Sequence, residues 1–121
     1  MKTSLILFLT LCITVIVNAQ NFWQQTNGPL GGDVGSLAIN SSGDVFAGTG
    51  GGVYRTTDNG NNWTETGLTN SYVMSLAINS SGDVFAGTWG GGVYRSTDNG
   101  NNWTEIGLTN SYVRSLAINS S

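Results

Sequence analysis

Short alternations of apolar and polar residues fill most of this chain, and they come in a fixed order that is written twice. In Ser75-Leu76-Ala77-Ile78-Asn79 the leucine and isoleucine fall on one side of an extended strand, and the serine, alanine and asparagine fall on the other. The same five letters stand at 36–40 and 115–119. After each comes a Ser-Ser-Gly turn where the chain continues, then Asp-Val-Phe-Ala-Gly-Thr, a glycine turn, Val-Tyr-Arg, a polar turn ending in tryptophan, and Thr-Glu. Each unit therefore predicts four short strands joined by tight turns. Long amphipathic segments of helical period are absent from the repeats.

The units recur at about 40 residues, which fits the blades of a β-propeller and does not fit helical solenoids. The prediction is an all-β fold, a β-propeller fragment of four-stranded antiparallel blades with two complete blades plus partial ones. An outer strand is expected at 21–27, blades at 34–67 and 73–107, and the first strand of a next blade at 113–121. The bulky face of an inner strand can then lie against the small face of the next blade. A closed ring takes roughly four to eight blades. The expectation is the amino-terminal part of a longer protein, with the remaining blades of the same chain as its first partners.

The most specific phrase is the polar turn, Thr56-Thr57-Asp58-Asn59-Gly60-Asn61-Asn62-Trp63 and Ser96-Thr97-Asp98-Asn99-Gly100-Asn101-Asn102-Trp103. A carboxylate here can accept from backbone N–H groups that a tight turn leaves unpaired, and the first hydroxyl can add a weaker bond. Gly60 and Gly100 suit left-handed backbone angles. Trp63 and Trp103 can fold beneath the turn, where burying a ring contributes about 2 kcal/mol or more. Each phrase reads as a strand-turn-strand clip.

The clip resembles the Asp-box, or bacterial neuraminidase repeat, Ser/Thr-x-Asp-x-Gly-x-x-Trp, at Thr56, Asp58, Gly60 and Trp63 and at Ser96, Asp98, Gly100 and Trp103. That resemblance implies a sialidase-like propeller fold in which the box joins the outer strands of a blade, away from any active site. Between the clips, Gly67-Leu68-Thr69-Asn70-Ser71-Tyr72-Val73 and the stretch 82–94 resemble the propeller repeats of periplasmic sensor regions in bacterial two-component regulators.

Residues 1–19 read as a signal peptide: Lys2, an apolar run from Leu5 to Val17, and Val17-Asn18-Ala19 before Gln20. Cleavage near Ala19 places the mature chain outside the cell, in the periplasm or on the cell surface. It would carry no cysteine, since Cys12 lies in the apolar run, so packing and hydrogen bonds alone must hold it. The run is shorter than the roughly 20 residues a spanning helix needs, and no membrane insertion is expected of the fragment. With Lys2 removed, Arg55, Arg95 and Arg114 are the remaining basic side chains, which argues against nucleic acid as a partner.

Candidate chemistry is sparse. Glycosidases need two facing carboxylic acids, and known sialidases add an arginine cluster and a Tyr–Glu pair. Here Arg55 and Arg95, like Glu65 and Glu105, fall at equivalent places in successive units, so they serve the repeat. No catalytic residue is assigned. The clip is rich in oxygen atoms but lacks the alternating carboxylates and terminal Glu of a calcium loop. There is no histidine, and no metal or cofactor is expected.

Differences between the copies are more informative. Trp89 is an insertion in the second glycine turn, and Asp33, Tyr72 and Tyr112 differ just before the inner strands, as do Gly35, Met74 and Arg114 at their entrances. All fall at the blade ends opposite the clips. Trp89, Tyr72, Tyr112 and Arg114 are the candidate contacts for a carbohydrate or protein ligand. The function expected is a non-catalytic binding or scaffold module. The alternatives are the amino-terminal part of a propeller glycoside hydrolase, sialidase-like or xyloglucanase-like, and the sensor region of a two-component regulator.

Overall fold

The structure is a computed structural model that describes residues 24–120. The expected signal peptide lies outside the described residues. Eight strands form in chain order: β1 Val34–Ile39, β2 Val45–Thr49, β3 Gly52–Thr56, β4 Thr64–Thr69, β5 Val73–Ile78, β6 Val84–Thr88, β7 Val93–Ser96 and β8 Thr104–Gly107. They make two four-stranded antiparallel sheets, ordered β1-β2-β3-β4 and β5-β6-β7-β8. Each sheet is a simple up-and-down meander, a propeller blade. Register shifts recur at equivalent places, between Val34 and Ser36 in the first blade and between Val73 and Ser75 in the second.

The β1–β2 and β5–β6 turns are closed by asparagine. The Asn40 Oδ1 accepts from the N–H groups of Ser42 and Asp44, and Asn79 Oδ1 does the same for Ser81 and Asp83. Gly43 and Gly82 take the left-handed angles these turns require (φ +87° and +85°).

The core lies between the sheets. Phe46 and Val53 of the first blade pack with Val73, Leu76, Val84 and Ala86 of the second, together with Leu68. Close approach depends on Gly48: a Cβ there would stand 2.6 Å from Val73 Cγ1 and 3.4 Å from Leu76 Cγ. The Ser36 hydroxyl accepts from the Leu76 N–H at 3.0 Å, so the small face of β1 meets the bulky face of β5. The side of the first blade turned away from the second is uncovered, with Leu37 62% and Ile39 67% exposed, whereas the equivalent Leu76 is 8% exposed.

Two segments join no ladder among the described residues. Residues 113–120 start as β5 does, with Val113 over Gly87 as Val73 lies over Gly48, but form no strand. Of the outer strand expected at 21–27, residues 21–23 lie outside the described residues and 24–27 are unpaired. That short segment nevertheless sits on the first clip: Thr26 lies against Gly60, and Asn27 Nδ2 donates to the Asn61 carbonyl at 2.7 Å. Thr66 of β4 lies against Gly100 in the same way, and the Gly67 N–H donates to the Gly100 carbonyl at 2.9 Å.

Candidate functional site

The four-stranded meander puts two kinds of turn at opposite ends of each blade. The clips, between β3 and β4 and between β7 and β8, share one end with the Ser-Ser-Gly turns. The glycine turns and the loops that enter β1 and β5 share the other.

Both clips have one geometry. The Asp58 carboxylate accepts from the N–H of Asn62 (2.8 Å), from the Asn62 side-chain amide (2.8 Å) and from the Thr56 hydroxyl (2.8 Å). Thr56 Oγ1 accepts in turn from the Gly60 N–H at 2.9 Å. Asp98, Asn102, Ser96 and Gly100 repeat this arrangement. These bonds favour the charged carboxylate. The Asn62 side chain first, then the Asn62 backbone and the Thr56 hydroxyl, hold the Asp58 carboxyl below its ordinary value; the Asn102 backbone, the Asn102 side chain and Ser96 do so for Asp98. Each carboxylate is engaged in holding its turn.

The tip is a two-residue turn with both central residues left-handed, Asn59 (φ 58°) and Gly60 (φ +87°), then Asn99 (φ 60°) and Gly100 (φ +88°). Asn-Gly is the pair that such a turn favours, so the asparagine carries a signal of its own. The tryptophans lie under the turns, half-buried. Trp103 Nε1 donates to the Gly100 carbonyl at 3.0 Å, while the buried Nε1 of Trp63 has no hydrogen-bond partner among the described residues.

At the opposite end, three of the four candidate contact residues come together. The ring of Trp89 is 6.2 Å from that of Tyr72 and 4.8 Å from that of Tyr112, edge-on to the latter. Each tyrosine lies beside a glycine turn, Tyr72 at Gly50 and Tyr112 at Gly90. A backbone bond from Trp89 N–H to the Tyr72 carbonyl, 2.9 Å, fixes the inserted residue. All three rings are open to solvent: Tyr72 47%, Trp89 53% and Tyr112 60% exposed. The arrangement is an aromatic platform, suited to stacking and edge contacts. Arg114 is exposed; among the described residues the one salt bridge joins Arg95 to Asp83. The place of Tyr72 and Tyr112 is held in the first blade by Asp33, which brings no ring.

The two repeat arginines do not behave alike. Arg95 binds Asp83 in its own blade, whereas Arg55 donates to the Asn99 carbonyl in the next. Hydrogen bonding to Arg95, then to Asn79, lowers the Asp83 carboxyl below its ordinary value. No group of three or more histidine, cysteine, aspartate or glutamate side chains that could hold a metal occurs among the described residues. No helix among them is long and apolar enough to cross a membrane.

Two blades of this construction define a β-propeller domain. The chain belongs to the family of the DUF6242 beta propeller domain, which matches residues 9–117. A solved structure of similar fold is virginiamycin B lyase from Staphylococcus aureus, 17% identical with a TM-score of 0.52, covering 74% of this chain and 32% of the lyase. The chain thus spans about a third of that protein's length, and the likeness is one of fold. No curated protein matches.

Proposed function

We propose that this chain is a non-catalytic binding module of a secreted or periplasmic propeller, and that its ligand contacts are Trp89, Tyr72 and Tyr112, together with Arg114. The observation that supports this most directly is the gathering of three exposed rings from successive repeats at one end of the blades. Exposed aromatic clusters gain free energy when covered by a sugar ring or an apolar peptide side chain. Three of the seven carboxylates serve the fold instead, Asp58 and Asp98 in the clips and Asp83 bound by Arg95. The clips, in their resemblance to Asp-boxes, are structural. Export rests on the apolar run between Leu5 and Val17. The uncovered Leu37 and Ile39 support further blades in the working protein.

The test is a calorimetric titration with soluble oligosaccharides, including sialosides and xyloglucan fragments, and with extended peptides. Saturable binding that falls at least about tenfold in Trp89→Ala, with an unchanged fold, is the expected result. Binding that Trp89→Ala leaves intact, or turnover of a glycan, overturns the reading.

A further inference from the structure

The tip of the second clip is seated in a socket on the first blade. Asn99 Oδ1 accepts from Asn40 Nδ2 at 3.0 Å, and Asn99 Nδ2 donates to Asp44 Oδ2 at 2.9 Å. Its carbonyl accepts from Arg55. Gly100 lies on the ring of Phe46, where an added Cβ would be 3.3 Å from Cε1, and Phe46 is fully buried. One asparagine thus satisfies an amide, a carboxylate and a guanidinium of the neighbouring blade, and the glycine beside it covers an aromatic ring.

The second blade carries the same groups 39 or 40 places on: Asn79 for Asn40, Asp83 for Asp44, Phe85 for Phe46 and Arg95 for Arg55. Beside Asn79 and Phe85 is an open pocket of about 540 Å³, lined by Asn79, Ser80, Ser81, Phe85 and, on its other wall, residues 117–119. Phe85 is only half-buried. With no turn seated there, Arg95 rests on Asp83, its guanidinium 5.8 Å from the centre of the Phe85 ring.

The geometry points to this pocket as the socket for an Asn-Gly turn of the same clip type, presented by a further repeat that continues from residues 113–120. Polarity and shape both favour that occupant. The pocket offers the donor and the ring that Asn99 and Gly100 meet in the first blade, the Asp83 carboxylate sits behind it on the Asn79 amide at 3.2 Å, and its second wall is already supplied by the start of the next repeat. A second copy of the chain fits less well, because its β1 would need the place that Val113 holds over Gly87. On docking, Arg95 leaves Asp83 for the carbonyl of the incoming asparagine, as Arg55 is placed, and Asp83 accepts from its side-chain amide. This lock is at the clip end of the blades and is independent of the aromatic platform.

The test compares the full chain with a chain lengthened by repeating residues 82–121 after the final serine. The expected result is a monomer in sedimentation, with amide exchange at Phe85 slowed by about tenfold or more, towards that of Phe46. Alanine in place of the added counterpart of Asn99 should return Phe85 to its original rate. Three outcomes overturn the proposal: an added repeat that stays unfolded, one that folds and leaves Phe85 exchange unchanged, or protection of Phe85 that appears only in a dimer.

Discussion

Phe46 and Phe85 occupy the same place in two nearly identical sequences, so replacing each by alanine isolates what the neighbouring blade contributes. Phe46 is fully buried beneath Gly100, in the cluster that joins both sheets. Removing such a ring leaves a cavity and costs about 3–5 kcal/mol. Phe85 faces the open pocket and keeps part of its surface in water. Losing it forfeits about half of a full transfer term, about 0.8–1.5 kcal/mol, plus roughly 0.5–1 kcal/mol from its contact with Arg95. The two variants should therefore differ by about 2 kcal/mol. With an m-value of about 2 kcal/mol/M, urea midpoints measured by circular dichroism should separate by roughly 1 M, Phe46→Ala being the lower. Equal midpoints, or a lower one for Phe85→Ala, would refute the claim that contact between blades decides the core.

Acid should destabilise the fold in a defined window. Asp58, Asp83 and Asp98 are all held below their ordinary value of 3.8, so their contribution is complete above that pH and is lost as pH falls through the lower folded values. With no histidine in the chain, thermal midpoints should be nearly flat from pH 5 to about 8 and fall below about 4; Asp58→Asn should weaken the acid dependence. Gly48→Ala would drive a Cβ to 2.6 Å from Val73 Cγ1, an overpacking that should cost about 1–3 kcal/mol and lower the melting temperature by several degrees. Trp89→Ala, by contrast, should cost no more than about 1 kcal/mol in the same melt, since it removes one exposed ring and its edge contact with Tyr112.

The repeating order of short alternating strands was enough to define the blades, because a period of two and a turn every few residues leave an up-and-down meander as the economical solution. The clip was legible for the same local reason: Asp58, Thr56 and Gly60 meet within five residues, and sequence-local hydrogen bonds need no knowledge of the rest of the chain. The left-handed asparagine at each tip was missed, although Asn before Gly is its usual mark. Tyr72, Trp89 and Tyr112 stood out as departures from the repeat, but their spacing depends on how one blade sits on the next.

Equality between the copies is where sequence reasoning stopped. It treated Arg55 and Arg95 as one kind of residue, yet one reaches across to Asn99 and the other turns back to Asp83. Local order, alternation and turn chemistry determined the blade, since those forces act over a few residues. Which Phe is sealed, which Asp is paired with arginine and which face stays open were decided by tertiary contact, because burial and long-range hydrogen bonds depend on what the neighbouring blade presents.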